Sequence, residues 1–331
     1  MEQFAAGGAG PGAVAVSGGG DSVALMHLLA RWAKKTKKTA PLVLVVDHGL
    51  RPEAAKEARS VVKAAKALNL SATLLRWKQA PSRGIEAAAR EARYRLMGEA
   101  LRRKKLATLY VGHTQDDQAE TFLLRLARGS GIDGLSAMRK LAPYPHPDFP
   151  ALAVARPLLG FSRAALRAWA KARKLAWLED PMNEDPRFDR VKMRRLAPVL
   201  AEVGLTPARI ALAATHLASG RDLLAGLALA LQERVSRPVA GGILLDQDAL
   251  GDAPRELGLR ALASLLQAVS GAPYRPRFDA LERLFDRLVA GTLGGGATLS
   301  GCRLGPAPAK ERIFGPATLK IASEMPRKGS V

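Results

Sequence analysis

Apolar residues along the first 175 positions form two kinds of segment in alternation. Short continuous apolar runs are typical of strands covered on both faces, because no face of such a strand meets water. Longer segments repeat apolar residues every three or four positions, as amphipathic helices do. The predicted strands are 13–16, 42–46, 72–77, 108–111 and 151–155. The predicted helices begin near 21, 52 and 85, and two more follow His113 and Ser162.

Strands that alternate with helices of this length predict right-handed βαβ units and a parallel sheet. After Gly204 the pattern changes to long Ala/Leu helices, predicted at 207–236, 253–270 and 277–291. A short strand is predicted at 243–245 and a hairpin near 298–304, and the last ten residues are predicted to be disordered. The predicted fold class is therefore α/β. A parallel-sheet, Rossmann-like domain over 1–204 precedes a mainly helical domain over 205–331.

The segment Ser17-Gly18-Gly19-Gly20-Asp21-Ser22 lies between the first predicted strand and the first predicted helix. Backbone N–H groups and the positive end of a helix meet at such a turn, which favours an anion such as phosphate. Asp21 beside phosphates suits a bridging Mg²⁺ ion, and the two serines add hydroxyl donors. The simpler alternative is that the glycines only make a tight turn.

Polar residues also follow two other predicted strands: Asp47 and His48 after the second, and His113 after the fourth. Ligands of parallel sheets bind at the carboxyl ends of strands, so these groups should converge on the glycine turn. Asp117 and Glu120 stand three apart on one helical face, where two carboxylates repel unless a metal or ammonium cation sits between them. The alternative is two ordinary acids favoured by the helix dipole.

The charge of the chain is strongly positive, with a formal net charge of +21 and a pI near 10.7. Residues 1–220 carry 36 Lys+Arg against 19 Asp+Glu, whereas residues 221–331 carry 15 against 11. This excess predicts a polyanionic partner for the first domain, although an aromatic content of 5% argues against extensive base stacking. Arg187, Arg190 and Arg194 would share a helical stripe, with Arg195 beside it, that either grips phosphates or is a solvated face.

A single cysteine, Cys302, excludes a disulfide framework, a four-cysteine zinc site and a cysteine pair for sulfur transfer within these 331 residues. Apolar runs are far shorter than the roughly 20 residues of a membrane span, and the start lacks the pattern of a signal peptide. The expectation is a cytoplasmic protein without membrane contact.

The glycine turn resembles the pyrophosphate loop, Ser-Gly-Gly-x-Asp-Ser, of the N-type ATP pyrophosphatases. Further motifs narrow the resemblance to bacterial tRNA(Ile)-lysidine synthases, and together they cover roughly residues 12–200. In order, these motifs are Asp47-His48-Gly49-Leu50-Arg51-Pro52, the stretch 86–94, Asp116-Asp117-Gln118-Ala119-Glu120-Thr121, Arg128-Gly129-Ser130-Gly131, Arg156-Pro157-Leu158-Leu159 and Asp180-Pro181-Met182-Asn183.

The resemblance implies a ligase that adenylates the wobble cytidine of the isoleucine tRNA with a CAU anticodon and then joins L-lysine to its C2. It implies ATP and Mg²⁺ as cofactors. Residues 17–22 would cradle pyrophosphate, with Asp21 on the metal, and Asp117 and Glu120 would hold ammonium groups of lysine. Asp47, His48 and His113 would line the site, and the base that deprotonates the amine is left open between His113 and Asp47.

Two positions depart from the family pattern: Thr114 stands where a second histidine is frequent, and Arg190-Val191 replaces an Arg-Asn pair. The alternatives are a tRNA cytidine thiolase, which needs more cysteines, an ammonia-fed synthetase, which does not need the basic charge, and an RNA-binding module with a vestigial ATP loop. Residues 205–331 are expected to help choose the tRNA or to stabilise the protein, and a homodimer is left open.

Overall fold

The computed structural model describes residues 12–49, 53–77, 85–179, 189–272 and 274–324, with side chains from 88 onward in the third range. The chain divides into two compact units, Met1–Ala218 and Ser219–Val331. The division falls inside one long helix, Pro207–Val235. The boundary expected from the sequence, between 204 and 205, lies in the turn that precedes this helix and stays a prediction.

The first unit contains the alternating strands and helices that the sequence predicts. Its strands are β1 (Gly12–Ala15), β2 (Leu42–Asp47), β3 (Ala72–Arg76), β4 (Thr108–Tyr110), β5 (Leu141–Pro143) and β6 (Ala153–Ala155). Its helices are α1 (Gly20–Thr36), α2 (Ala54–Ala67), α3 (Ile85–Arg103), α4 (Gln115–Leu126), α5 (Ile132–Leu135), α6 (Arg163–Lys171) and α7 (Asp189–Glu202), followed by the start of α8 (Pro207–Val235).

These strands form a six-stranded sheet in the order β3-β2-β1-β4-β6-β5, in which only β5 is antiparallel to its neighbour. The chain runs outward from β1 through β2 to β3 and then returns to place β4 on the other side of β1. The strand order therefore reverses between β1 and β4, and ligands of open parallel sheets bind at such a reversal.

Both faces of the sheet are buried, as its continuous apolar strands predict. Val14 and Val16 point to a core shared with α1 and α2, whereas Ala13 and Ala15 point to a second core shared with α3. Strand β1 is thus fixed from both sides, which holds the end that carries the glycine turn in place.

The second unit pairs helices with an antiparallel sheet. Its strands are β7 (Ser236–Val239), β8 (Gly242–Asp246), β9 (Ala297–Leu299), β10 (Cys302–Pro306) and β11 (Thr318–Ser323), in the order β7-β8-β11-β10-β9. Its helices after α8 are α9 (Gln247–Gly251), α10 (Arg255–Ser270) and α11 (Phe278–Val289). Residues of α10 and α11, such as Leu262 and Phe285, form its core with the inner face of the sheet.

The fold class is confirmed, and three details differ from the sequence-based expectations. The glycines of the segment 128–135 predict a loop, but Ile132–Leu135 forms one helical turn, and Arg125 donates to the carbonyl of Gly134 at 2.7 Å. Strands β5 and β7 were not predicted, because each is a short strand that contains a proline. Strand β11 was missed as well, so the short strand and the hairpin are parts of one larger sheet.

Among the residues described, no single helix is long and apolar enough to cross a membrane. The pair α7 and α8 reaches the required length and composition only together, and the two helices meet at 99°.

Candidate active site

The glycine turn joins β1 to α1 and is held together by its own serines. The Ser22 hydroxyl donates to the carbonyl of Gly19 at 2.8 Å, and the Ser17 N–H donates to that hydroxyl at 3.2 Å. Gly19 is the N-cap of α1 and supplies no side-chain cap. The first turn of the helix therefore keeps the open, positive end that suits an anion.

Two glycines lie where other parts of the chain closely approach this turn. Gly18 has φ +95°, and a Cβ there would lie 2.7 Å from Cδ1 of Leu178, whose N–H donates to the Gly18 carbonyl at 2.9 Å. Gly112 follows β4, and a Cβ there would lie 3.1 Å from the backbone oxygen of Asp21. The turn is thus enclosed by the segment around 178 on one side and by the end of β4 on the other.

A cavity of about 830 Å³ opens at this point, at the carboxyl ends of β1 and β4. Among the predicted site residues, it is lined by Ser17, Gly19, Gly20, Asp21, Ser22, His113, Asp117, Arg190 and Arg194. Asp47 and His48 are not among the described residues that line it. The structure therefore brings the predicted phosphate turn, Asp117 of α4 and two arginines of the α7 stripe to one cavity. Glu120 lines a neighbouring cavity, which shares Arg163 and Arg194 with the first.

Arg163, at the start of α6, connects three carboxylates in this cavity. Its Nε lies 3.2 Å from Oδ2 of Asp21, its Nη2 lies 3.1 Å from Oδ1 of Asp117, and its Nη1 lies 3.1 Å from Oε1 of Glu120. The side chain is 18% exposed. Although burial opposes its charge, the three carboxylates outweigh burial and raise the pKa of Arg163 above its usual range.

Asp117 is held by the first turn of its own helix as well as by Arg163. Thr114 is the N-cap of α4, and both its N–H, at 2.7 Å, and its hydroxyl, at 2.8 Å, donate to Oδ2 of Asp117. Burial alone would raise the pKa of Asp117, but Arg163 and the bonds from Thr114 outweigh it and hold that pKa below the usual range. Thr114, where the family pattern departs, is completely buried and serves as a cap here.

The predicted basic stripe faces the cavity. Arg194 grips Glu120 with two hydrogen bonds, from Nε to Oε1 at 2.7 Å and from Nη2 to Oε2 at 3.2 Å. Arg190 also lines the cavity, Arg195 follows on α7, and Arg187 lies outside the described residues. The motif residues 50–52, 180–183 and the side chain of residue 86 lie outside them as well.

His113 enters the cavity from the end of β4 with one nitrogen already engaged. Nε of Arg156 donates to its Nδ1 at 3.2 Å, which places the proton of the neutral ring on Nε2. Burial, together with nearby arginines, lowers the pKa of His113 to about 4. The neutral ring can therefore donate a hydrogen bond from Nε2, and it is poorly suited to remove a proton at neutral pH.

The residues after β2 stand apart from this group. Oδ1 of Asp47 accepts the N–H of Gly49 at 3.0 Å, and the ring of His48 meets Trp77 edge to face at 6.1 Å. Nδ1 of His48 is buried and has no hydrogen-bond partner in the described part of the chain, and burial lowers the pKa of this ring. Both residues hold the end of β2, beside the cavity rather than in its lining.

Asp21 has the features of a ligand that shares a metal ion with phosphate. Burial raises its pKa despite the opposing effect of Arg163, and its Oδ1 is buried with no hydrogen-bond partner among the residues described. No group of three or more His, Cys, Asp or Glu side chains in the described ranges is arranged to hold a metal alone. Mg²⁺ is commonly held by one or two carboxylates with substrate phosphates and water, so the single free oxygen of Asp21 fits that ion.

Several arginines in or near the cavity were not predicted as site residues, although Arg90, Arg93 and Arg156 lie in the motifs quoted above. Arg163 and Arg156 contact the acids and His113, while Arg90, Arg93 and Arg167 line the cavity wall. One signal for Arg163 was present, because the spacing of Asp117 and Glu120 required a cation between them. The sequence could not say that the protein supplies that cation from 43 residues further along the chain.

Comparison with known proteins agrees with the motifs. The PP-loop domain family matches residues 5–200. A tRNA(Ile)-lysidine synthase of Methylobacterium nodulans is 40% identical over 332 residues, which cover 96% of this chain and 93% of that protein. One from Bradyrhizobium sp. (strain BTAi1 / ATCC BAA-1182) is 39% identical, with 90% of each chain covered. One from Wolbachia pipientis wMel is 39% identical over 88% of this chain and 67% of its own length.

Among solved structures, the U34-tRNA thiolase NcsA from Methanococcus maripaludis, with its 4Fe–4S cluster, has a TM-score of 0.50. It is 17% identical, and the match covers 62% of this chain and 71% of the thiolase. At this identity the likeness supports the shared fold alone.

Proposed function

Because the chain belongs to the tRNA(Ile)-lysidine synthase family, we propose that it joins L-lysine to C2 of the wobble cytidine in the isoleucine tRNA with a CAU anticodon. The observation that carries this proposal is the cavity that unites the PP-loop turn with Asp117 of α4, which Arg163 bridges to Glu120. An adenylation step needs the PP-loop turn to bind ATP, and a lysine nucleophile needs the acids to bind its ammonium group.

The turn 17–22 is the proposed binding site of the polyphosphate of ATP. The open end of α1 and the hydroxyls of Ser17 and Ser22 would hold the pyrophosphate. Asp21 would hold Mg²⁺ through Oδ1, and that ion would neutralise charge on the phosphates. The C2 oxygen of the cytidine attacks the α-phosphorus, the bond from that phosphorus to the bridging oxygen breaks, and pyrophosphate leaves.

The acids of α4 are the proposed site for the cationic lysine. Asp117 and Glu120 lie next to the phosphate turn and are linked to it through Arg163. The lysine ε-ammonium loses a proton to solvent and the free amine attacks C2. The bond between C2 and the AMP oxygen then breaks, AMP leaves with its electron pair, and the new C–N bond of lysidine remains. We assign to His113 a hydrogen bond from Nε2 in this reaction, because its pKa near 4 does not suit proton removal.

The cavity wall and the surface around it are proposed to receive the tRNA. Arg90, Arg93 and Arg190 line the wall, and most of the excess positive charge lies within residues 1–220. Phosphates of the anticodon loop supply the complementary charge. All the proposed substrates are cytoplasmic, and we place the protein there.

A thiolase reaction is not supported for this chain. Cluster-dependent sulfur transfer needs several cysteine thiolates, and the sequence contains only Cys302. That thiol is completely buried in the second unit, donates to the carbonyl of Leu266 at 3.2 Å and has a pKa raised by burial.

The test is mass spectrometry of tRNA nucleosides after reaction of the purified protein with ATP, Mg²⁺, L-lysine and the isoleucine tRNA. We expect lysidine to replace one cytidine, with one AMP and one pyrophosphate formed for each lysidine. Omitting lysine should leave the cytidine unmodified at the end of the reaction. A protein that binds the tRNA and forms neither AMP nor lysidine would instead be an RNA-binding module with an inactive ATP loop.

A further inference from the structure

The backbone around Arg163 is anchored independently of its side chain. The N–H of Arg163 donates to Oδ2 of Asp116 at 2.7 Å, and the N–H of Gln115 donates to the carbonyl of Phe161 at 2.9 Å. The Ser162 hydroxyl caps α6 by accepting the N–H of Ala165. The starts of α4 and α6 are therefore locked together, so the guanidinium can change partners without moving the helix.

The two acids proposed to hold lysine are already in contact with guanidinium groups in this structure. Oδ2 of Asp117 takes both bonds from Thr114, and its Oδ1 takes Nη2 of Arg163. Oε1 of Glu120 accepts hydrogen bonds from Nη1 of Arg163 and Nε of Arg194, and its Oε2 accepts one from Nη2 of Arg194. An ammonium group placed between Asp117 and Glu120 would take the position of the Arg163 guanidinium, which now bridges them.

The same guanidinium reaches the phosphate side of the cavity. Nε of Arg163 contacts Oδ2 of Asp21, whose other oxygen has no partner within the described ranges. A metal ion held by Oδ1 of Asp21 would lie close to the Arg163 guanidinium on Oδ2, and the two cations would repel each other. The polyphosphate also offers Arg163 a new anionic partner in the same cavity, and bidentate phosphate contacts suit a guanidinium well.

We propose that Arg163 is a positioning residue that occupies the place of the substrate ammonium in the free protein and moves to the polyphosphate when ATP binds. Its departure frees Oδ1 of Asp117 and one contact on Oε1 of Glu120 for lysine, while Arg194 still holds Glu120. ATP and lysine therefore bind cooperatively, and ATP binds first in productive turnover. This inference rests on the proposed function, since it takes lysine and ATP as the two ligands of the cavity.

The experiment measures binding of radiolabelled L-lysine by equilibrium dialysis, with and without Mg²⁺ and α,β-methylene ATP, which cannot be cleaved between its α- and β-phosphates. In the unmodified protein the nucleotide should lower the lysine Kd at least about fivefold, the lower end of typical coupling between sites. In Arg163→Gln the lysine Kd without nucleotide should already be low, and the effect of the nucleotide should shrink at least about threefold relative to the unmodified protein.

Two further variants separate this role from a general change of charge or stability. Arg173→Gln removes a cation that lies over the ring of Trp169, 4.5 Å from its centroid, away from the acids, and it should keep the full nucleotide effect. Arg163→Lys keeps one charge but cannot bridge three carboxylates, so the nucleotide effect should shrink here too. Thermal unfolding identifies the variants that fold. If Arg163→Gln does not fold, the nucleotide effect measured in Arg163→Lys tests the proposal.

The inference is overturned if the folded Arg163 variant keeps the full nucleotide effect, or if it binds lysine more weakly than the unmodified protein when no nucleotide is present. It is equally overturned if the unmodified protein makes lysidine but binds lysine with the same Kd in both conditions. A protein that forms no lysidine and binds no lysine in either condition contradicts the proposed function itself.

Discussion

Asp21 is the side chain on which the phosphate half of the cavity most depends, because one oxygen faces Arg163 and the other lacks a partner among the described residues. In Asp21→Asn the amide keeps the shape of the carboxylate but loses its charge. We expect formation of AMP to fall at least about a hundredfold, since a charged metal ligand is lost. Binding of tRNA should stay within about twofold, because the basic surface is unchanged.

The measurement for this variant is single-turnover release of AMP alongside tRNA retention on a filter at several salt concentrations. Release of AMP at a rate near that of the unmodified protein would remove Asp21 from the metal site.

His113 predicts a pH dependence of stability. Burial lowers its pKa from 6.5 to about 4 in the folded protein, whereas the unfolded chain takes up a proton near pH 6.5. The unfolded state therefore binds more protons between these values, and the free energy of unfolding falls as the pH drops from about 6.5 to about 4, by at most about 3 kcal/mol from this residue.

The variant His113→Gln keeps an acceptor for Arg156 and loses this titration. Urea unfolding at pH 7.0, 6.0 and 5.0 should give a smaller decrease for the variant than for the unmodified protein. Identical decreases in the two proteins would show that His113 does not titrate in this range.

Site residues could be predicted from the sequence where they belong to a recognisable motif. The cavity is lined by Asp117, His113 and every residue of the turn 17–22 except Gly18. Glu120 is bonded to Arg163 and Arg194 of its wall. Arg163 could not be identified, because its partners lie on two other segments and nothing local distinguishes it among 51 Lys and Arg residues. Arg163 bridges the carboxylates because packing of the chain buries its side chain beside them. The spacing of residues in the sequence does not reveal that packing.

At the scale of elements, the cap of α4 couples helix stability to the acid cluster. Thr114 accepts the N–H of Asp117 and donates to its carboxylate, which closes a capping box. Thr114→Val preserves shape but removes the hydroxyl, so we expect a loss of about 0.5–2 kcal/mol of unfolding free energy. The pKa of Asp117 should rise as well, since one bond to its charged form is lost.

Urea unfolding measures the first effect, and the pH dependence of lysine binding reports the second. Thr114→Ser keeps the hydroxyl and is the matched control, with a loss smaller than that of the valine variant. Equal losses in the two variants would mean that the hydroxyl contributes nothing to the cap.

Elements were predictable where a periodic pattern ran long enough to reveal them. The continuous strands β1 and β2 and the long helices α1 and α10 appear within a few residues of their predicted positions. Strand β5 was not predictable, because three residues that include a proline become a strand only when β6 offers an edge for pairing. Strand β11 joins β8 and β10, which lie 12 or more residues away along the chain, so its place depends on long-range pairing.

At the scale of the whole molecule, charge and chemistry coincide in the first unit. The cavity, the acids and most of the positive excess lie before Ser219, while the second unit has its own core and a smaller net charge. Other tRNAs share the CAU anticodon, the methionine tRNA among them, so the base alone does not distinguish the substrate. We expect the second unit to contribute to that choice.

A chain truncated before the second unit can test this expectation, provided that the truncated chain still folds. Ile210, Ala211 and Ala214 on α8 are buried within the first unit, and the N–H of Ala137 donates to the carbonyl of Ala214 at 3.0 Å. A chain ending at Glu202 loses all of these contacts, whereas one ending at Ala218 keeps them. The shorter chain should be less stable, by about 2 kcal/mol or more from burial of Ile210 alone.

The chain ending at Ala218 should therefore fold and bind ATP, and it should modify isoleucine and methionine CAU tRNAs at rates that differ far less than with the full chain. Both tRNAs are reacted in parallel with each protein, and lysidine is quantified by mass spectrometry, with ATP binding as the check on folding. If the folded 1–218 chain still strongly prefers the isoleucine tRNA, selection resides in the basic unit that holds the cavity. In that case the antiparallel sheet and helices after Ser219 do not act in the choice of tRNA, because the contacts that discriminate are all present without them.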